Sequence, residues 1–234
     1  MKLIVSDLDG TLMSKNEVSL SKSIKNSIYS QLCSGNLFAV ASGRNYTELK
    51  ALFSEFEKDI YFICNDGALG VYKEDTFFEK SLDKQTFESF KTYAAHGKYV
   101  TYVKSANTML LRELSKKYHG HVMEIDSVYD IKGNIYKITD FDKSIPCSLP
   151  LVYKDYSMHE YIADETDKSS ALKVLMNKLK VPKHDTIVFG DNLNDLGMFA
   201  ICGKSFAVAN AIPKVKKCAD KVTQNIEKEI INVL

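Results

Sequence analysis

The sequence predicts an α/β fold of parallel βαβ units, interrupted by an inserted α+β module. Three observations lead there. Short apolar runs alternate with segments of helical period from the N-terminus to about Ser81, the rhythm of a parallel sheet with crossover helices. Near Leu82 the texture changes: Phe87, Phe90, Tyr93, Tyr99, Tyr102, Tyr118, Tyr129 and Tyr136 crowd a stretch with fewer long aliphatic runs. From about Met158 the first rhythm returns.

The elements follow in order. Leu3-Ile4-Val5 is a first strand running into Ser6-Asp7-Leu8-Asp9-Gly10-Thr11. Leu20, Ile24, Ile28 and Leu32 recur every four residues, which marks an amphipathic helix, opened by Ser19 as N-cap and closed near Gly35. Leu37–Ala41 is a second strand ending in Ser42-Gly43-Arg44, followed by a helix over 46–56. A third run, 60–64, ends in Asn65-Asp66-Gly67, and Val71–Tyr72 and Thr76–Glu79 flank a polar turn as a hairpin. Within the insertion the pattern reads as helix 83–96, strand 99–104, helix 107–118 and strands near 122–130 and 134–141. Pro146 and Pro150 argue for loop between Phe141 and Ser157. A short strand through Ile162, a helix over 168–180 with Leu172, Leu175, Met176 and Leu179 inside, a strand over 186–189 and a short helix near 195–201 complete the reading. The division is a core of 1–81 and 160–234 around a module of 82–159.

Composition narrows the function. The chain has 234 residues, 45% hydrophobic and 26% charged, ordinary for a soluble globular protein. A net charge of +1 with no basic stripe gives no footprint for nucleic acid. No apolar run approaches a membrane span, and Met1-Lys2-Leu3 enters a strand at once, leaving no room for a signal peptide. Cys33, Cys64, Cys147, Cys202 and Cys218 are an odd set without a C-x-x-C pair. They read as buried or half-buried thiols in a reducing compartment. The expected setting is cytoplasmic, with no membrane or nucleic-acid partner, as a monomer or weak homodimer.

The chemistry lies at the strand ends. Side chains two apart on a strand point to the same side, so Asp7 and Asp9 can converge at the carboxyl end of a buried strand, where open α/β sheets bind ligands. Two carboxylates so close repel unless a cation lies between them or one takes a proton. Gly10 permits the sharp turn, and Thr11 can donate back to a carboxylate. An Asp-Gly pair alone signals only a turn; the whole D-x-D-G-T string after an apolar run says more. Gly190-Asp191-Asn192-Leu193-Asn194-Asp195 follows another apolar strand, so Asp191 also belongs at a carboxyl end if the sheet is parallel. Asn194 or Asp195 can also cap the next helix. Oxygen ligands of this kind suit Mg²⁺. Lys168 opens its helix, where a cation opposes the macrodipole, and nearby carboxylates or a bound phosphate would compensate. Ser42 and Gly43 offer a hydroxyl and N–H groups to phosphoryl oxygens.

These residues in this order resemble the haloacid dehalogenase superfamily, and the insertion resembles the cap of its Cof-like, type IIB branch. The resemblance implies a Rossmann-like, doubly wound core with a C2B-type α+β cap. It implies a Mg²⁺-dependent phosphatase for a small phosphorylated metabolite, often a sugar phosphate. Asp7 would be the nucleophile that forms an aspartyl-phosphate, and Asp9 the acid and base for the leaving alcohol and the attacking water. Asp7, the main-chain carbonyl of Asp9, Asp191 and Asp195 would make the metal site. Thr11, Ser42, Gly43, Lys168 and Asn194 would take the phosphoryl oxygens, with Arg44 and Asp66 toward substrate. Asp66-Gly67-Ala68 stands where the family carries Asn-Gly-Ala, with Asn65 one place earlier, so either side chain is open as the one facing the site. A phosphomutase on the same core is the sister reading. A receiver or phosphate-binding regulator is a third, disfavoured because Asp7, Asp9 and Lys168 are all present.

Overall fold

The computed structural model describes residues 1–14, 17–86, 88, 99–102, 107–111, 122–125, 130–131, 134–140, 151–154 and 159–232. Strands β1 (Leu3–Asp7), β2 (Leu37–Ala41), β3 (Tyr61–Cys64), β4 (Leu69–Tyr72) and β5 (Asp75–Glu79) fall in the first part of the chain. Then come β6 (Tyr99–Tyr102), β7 (Asn107–Leu111), β8 (Val122–Ile125), β9 (Ile135–Asp140), β10 (Leu151–Lys154) and β11 (His159–Ile162). The last are β12 (Thr186–Gly190), β13 (Lys204–Val208) and β14 (Lys221–Thr223). Among the described residues, helices include α1 (Lys22–Cys33), α2 (Tyr46–Leu52), α3 (Lys168–Leu179), α4 (Leu196–Ile201), α5 (Pro213–Cys218) and α6 (Ile226–Ile231).

Eight strands form the main sheet in the order β14-β13-β12-β1-β2-β3-β4-β5. All neighbours from β14 to β3 are parallel, and β4 and β5 add an antiparallel hairpin at one edge. The doubly wound fold is confirmed. From β1 the chain builds one way through β2 and β3, and after the insertion it builds the other way from β12, so the order reverses between β1 and β12. Strict alternation splits the strands between two apolar layers. Ile4, Phe38, Val40, Phe62, Ile187 and Phe189 face Ile24 and Ile28 of α1, Leu49 of α2 and Ile230 of α6. Leu3, Val5, Ala39, Ile63 and Val188 face Ala171, Leu172 and Leu175 of α3, Met198 of α4 and Val215 of α5.

The second sheet has six strands in the order β10-β11-β9-β6-β7-β8, antiparallel except for the β7–β8 pair. It meets the main sheet through β9. Ile135 O accepts from Leu82 N at 2.8 Å, and Tyr136, 1% exposed, joins the first apolar layer and donates its hydroxyl to Glu79 at 2.5 Å.

Several expectations need correction. Residues 107–111, expected to open a helix, are strand β7, paired on both sides; a short apolar run reads equally well as helix or strand until a partner is known. Leu151–Lys154 is a strand where loop was expected, because both prolines precede it. His159–Ile162 pairs with β9 and β10, so it extends the second sheet past the expected boundary at 159. The first helix is capped by Ser21, whose side chain accepts from Ile24 N, and not by Ser19. The second helix stops at Leu52, short of 56. Cys33 and Cys218 are exposed; Cys147 and most of the helix expected over 83–96 lie outside the described residues.

Candidate active site

β1 carries Asp7 to the carboxyl edge of the sheet, and its parallel neighbour β12 carries Asp191 there. Ser6 pairs with Phe189, which sets the two chain exits side by side. Gly10 then turns with φ +97°, and a Cβ on it would lie 2.4 Å from Asp191 Oδ2. Glycine is therefore required twice over, for the left-handed turn and for the close approach. Asn210 Nδ2 pins this turn by donating to Gly10 O at 2.7 Å.

Lys168 enters from the opposite layer as the first residue of α3, behind Asp167, whose carboxylate caps the helix by accepting from Ser170 N. It is 1% exposed. Its ammonium donates to Asp7 Oδ1 at 2.6 Å and Asp195 Oδ1 at 2.8 Å. Asp195 Oδ2 accepts from the backbone N–H of Asp191 at 2.9 Å and of Asn192 at 3.1 Å, folding the loop after β12. Thr11 Oγ1 donates to Asp191 Oδ1 at 3.4 Å.

Ligand oxygens of Asp7, Asp191 and Asp195 all lie within 4.8 Å of one another, and all three residues are buried. Burial raises the Asp7 carboxyl well above its ordinary value; Lys168 opposes this, and Asp195 and Asp191 push the same way as burial. Burial alone would lower Lys168, but Asp195 and Asp7 outweigh it and hold its proton far more tightly than usual. One ammonium cannot neutralise three carboxylates. Asp7 Oδ2 is, moreover, buried without a hydrogen-bond partner. An all-oxygen donor set, an excess of negative charge and an orphaned carboxylate oxygen together fit a hard divalent cation. Both oxygens of Asp195 accept hydrogen bonds, one from Lys168 and the other from the loop backbone, so besides its place in the cluster it holds Lys168 and the Asp191 backbone.

The other expected residues divide into two groups. Asp9 stands apart from the acidic cluster: its oxygens accept from Arg44 Nε at 2.9 Å and Arg44 Nη2 at 2.6 Å, a two-pronged pair. Ser42 is buried, and its Oγ accepts from Arg44 N at 3.1 Å. Asp66, 3% exposed, accepts from Asn194 Nδ2 at 3.0 Å and donates its backbone N–H to Ser42 O. Asp66 is thus the side chain that joins this constellation. Asn65 is buried with both its amide atoms unpartnered.

Sequence reasoning missed Lys137. From β9 of the second sheet its ammonium reaches Gly43 O at 2.8 Å, Asp66 Oδ2 at 3.2 Å and Glu160 Oε1 at 3.1 Å. Burial opposes ionisation of Asp66, but Lys137 and Lys168 outweigh it and keep the carboxyl below its ordinary value. The available signal was a lysine inside the apolar run Ile135-Tyr136-Lys137-Ile138, since an unpaired lysine is almost never fully buried.

A profile of the haloacid dehalogenase-like hydrolases matches residues 4–232, and the chain belongs to that family. Among solved structures, a haloacid dehalogenase-like hydrolase from Bacteroides thetaiotaomicron has a TM-score of 0.85 at 24% identity, covering 100% of this chain and 99% of that one. The subclass IIB sugar phosphatase BT4131 has a TM-score of 0.76 at 18% identity, covering 99% and 96%. The phosphatase YwpJ of Bacillus subtilis (strain 168) is 25% identical, covering 95% of this chain and 94% of the relative. The 5-amino-6-(5-phospho-D-ribitylamino)uracil phosphatase YbjI of Escherichia coli (strain K12) is 24% identical, covering 90% and 86%. The protein is therefore a haloacid dehalogenase-like hydrolase, and it shares its fold with the subclass IIB structure.

Proposed function

We propose that the protein is a Mg²⁺-dependent phosphatase for a small phosphorylated metabolite, of the sugar phosphate class, working through an aspartyl-phosphate on Asp7. The observation that carries this reading is the state of Asp7. It is buried at the reversal point of the sheet, bonded to Lys168 through one oxygen, and orphaned at the other beside Asp191. Asp7, Asp191 and the main-chain carbonyl of Asp9 would hold Mg²⁺, which when bound screens the repulsion between carboxylate and phosphate.

Asp7 attacks phosphorus, and the bond to the leaving oxygen breaks as Asp9 supplies that oxygen with a proton. Water then attacks the aspartyl-phosphate while Asp9 takes up its proton, freeing orthophosphate and restoring Asp7. Asp9 now rests against Arg44, so that pair must part before Asp9 reaches the leaving oxygen. Lys168, Ser42 and Asn194 supply the donors that offset charge on the phosphoryl oxygens. The second sheet, with its boundary moved to Ile162, serves as the cap that screens the site from water. No helix among the described residues is long and apolar enough to cross a membrane.

The test is a panel of phosphorylated metabolites and p-nitrophenyl phosphate, scored for free phosphate and for isomerised ester. Free phosphate should dominate, chelation should abolish it, and Asp7→Asn should lower turnover by about a thousandfold or more. Dominant isomer would replace hydrolysis by a mutase reaction, and undiminished turnover in Asp7→Asn would remove Asp7 as nucleophile.

A further inference from the structure

The cap contributes a cation to the phosphoryl site, and its contacts say how that cation acts. Lys137 has three N–H groups and three acceptors in reach: Gly43 O, Asp66 Oδ2 and Glu160 Oε1. It is 6% exposed. Its donors are therefore committed to protein oxygens, which excludes it as a ready ligand for substrate and points to action through its partners.

Each partner in the core leads to a phosphoryl-binding side chain. Gly43 O belongs to the same peptide plane as Arg44 N, which donates to Ser42 Oγ. Pinning the carbonyl on Lys137 fixes the plane, and with it the N–H that occupies a Ser42 lone pair. The Ser42 hydroxyl hydrogen is then left to point at a phosphoryl oxygen. Asp66 likewise accepts from Lys137 through Oδ2 and from Asn194 Nδ2 through Oδ1. This fixes the orientation of the Asn194 amide. Glu160 lies on β11, the strand next to β9, so it keeps Lys137 aimed at the core from within its own sheet.

We propose that Lys137 is a positioning residue through which docking of the cap sets Ser42 and Asn194 for the phosphoryl group. This rests on the phosphatase reading above and adds to it a route from cap to core that needs no contact between Lys137 and substrate. With Lys137 replaced, the Gly43–Arg44 peptide loses the bond that anchors its carbonyl, and Asp66 loses a cation that competes with Asn194 for it. Binding of the phosphoryl group then suffers more than attack by Asp7, which Lys168 and the cation site continue to hold.

The experiment compares wild type, Lys137→Arg, Lys137→Met and the double variant Lys137→Met with Asp66→Asn, all with Mg²⁺. Orthophosphate binding is measured by calorimetry, KM and kcat with p-nitrophenyl phosphate, and folding by the melting midpoint. Lys137→Met should weaken phosphate binding and raise KM by about tenfold to a hundredfold, with a smaller fall in kcat. Lys137→Arg keeps the charge but replaces three tetrahedral donors with a planar fork, so it should recover phosphate affinity only part of the way from Lys137→Met to wild type. The double variant removes the stranded Asp66 charge, so it should regain melting midpoint without regaining phosphate affinity. Wild-type affinity in folded Lys137→Met, or affinity restored together with stability in the double variant, would overturn the proposal. Wild-type enzyme that binds no orthophosphate would overturn the phosphatase reading along with it.

Discussion

Lys168 and Asp7 show at the scale of single residues how the site stores its reactivity. The Lys168 ammonium is shared between Asp7 and Asp195 in a setting almost closed to water. Removing it by Lys168→Met strands two buried carboxylates, and breaking such a pair costs about 3–5 kcal/mol. The variant should therefore lose that much unfolding free energy in denaturant titration; a loss under about 1 kcal/mol would show that the pairs contribute little. Asp7 makes a prediction of opposite sign. Its folded carboxyl lies above its unfolded value of about 3.9, so the metal-free fold binds this proton more tightly than the unfolded chain does. The resulting stability is complete below the unfolded value and is lost as pH rises through the raised one. Asp66, where burial is outweighed by two lysines, and Asp220, held down by Ser205, lie below their ordinary values and gain stability as pH rises. The measurement is thus a difference. In chelator, the midpoint of wild type minus that of Asp7→Asn should fall as pH climbs from about 4 toward neutrality. A flat difference would contradict the raised carboxyl.

Elements place these residues, and their contacts are close enough to test. α3 is held by its own cap at Asp167 and by the loop after β3. A Cβ on Gly67, which has φ +99°, would lie 2.0 Å from Asp167 O. Gly67→Ala should push the first turn of α3, and Lys168 with it, away from Asp7. We expect destabilisation of at least about 1 kcal/mol from the left-handed backbone alone, and a fall in kcat of about a hundredfold from the displaced ammonium. Normal kinetics in a folded Gly67→Ala would show that this loop does not set Lys168. Strands β1, β2 and β12 were legible as apolar runs because each is buried on both faces. β7 was not, because Asn107-Thr108-Met109-Leu110-Leu111 becomes a strand only by pairing with β6 and β8.

For the whole molecule, the sheet brings Asp7 and Asp191, 184 positions apart in the 234-residue chain, to neighbouring strand ends. A cation bound there ties the first strand to the returning half of the core, so it should stabilise the fold as a unit. At a hundred times its dissociation constant Mg²⁺ should add about 2.7 kcal/mol, read as a rise in melting midpoint that Asp191→Asn abolishes. A midpoint indifferent to Mg²⁺ in wild type would count against the cation site.

By itself the sequence determined that the core is a parallel α/β sheet and that Asp7, Lys168 and Asp191 stand at element ends. Local signals suffice for that: apolar runs, helical spacing, and acid or glycine at the points where strands stop. Only the tertiary structure decided that Asp66 and not Asn65 joins Ser42 and Asn194, that Arg44 rests on Asp9, and that Lys137 crosses from the second sheet to Gly43 and Asp66. The reason is physical. Where a strand ends depends on its own residues, whereas which charges meet depends on how strand ends, loops and the two sheets pack together, and no spacing along one chain segment encodes that distance.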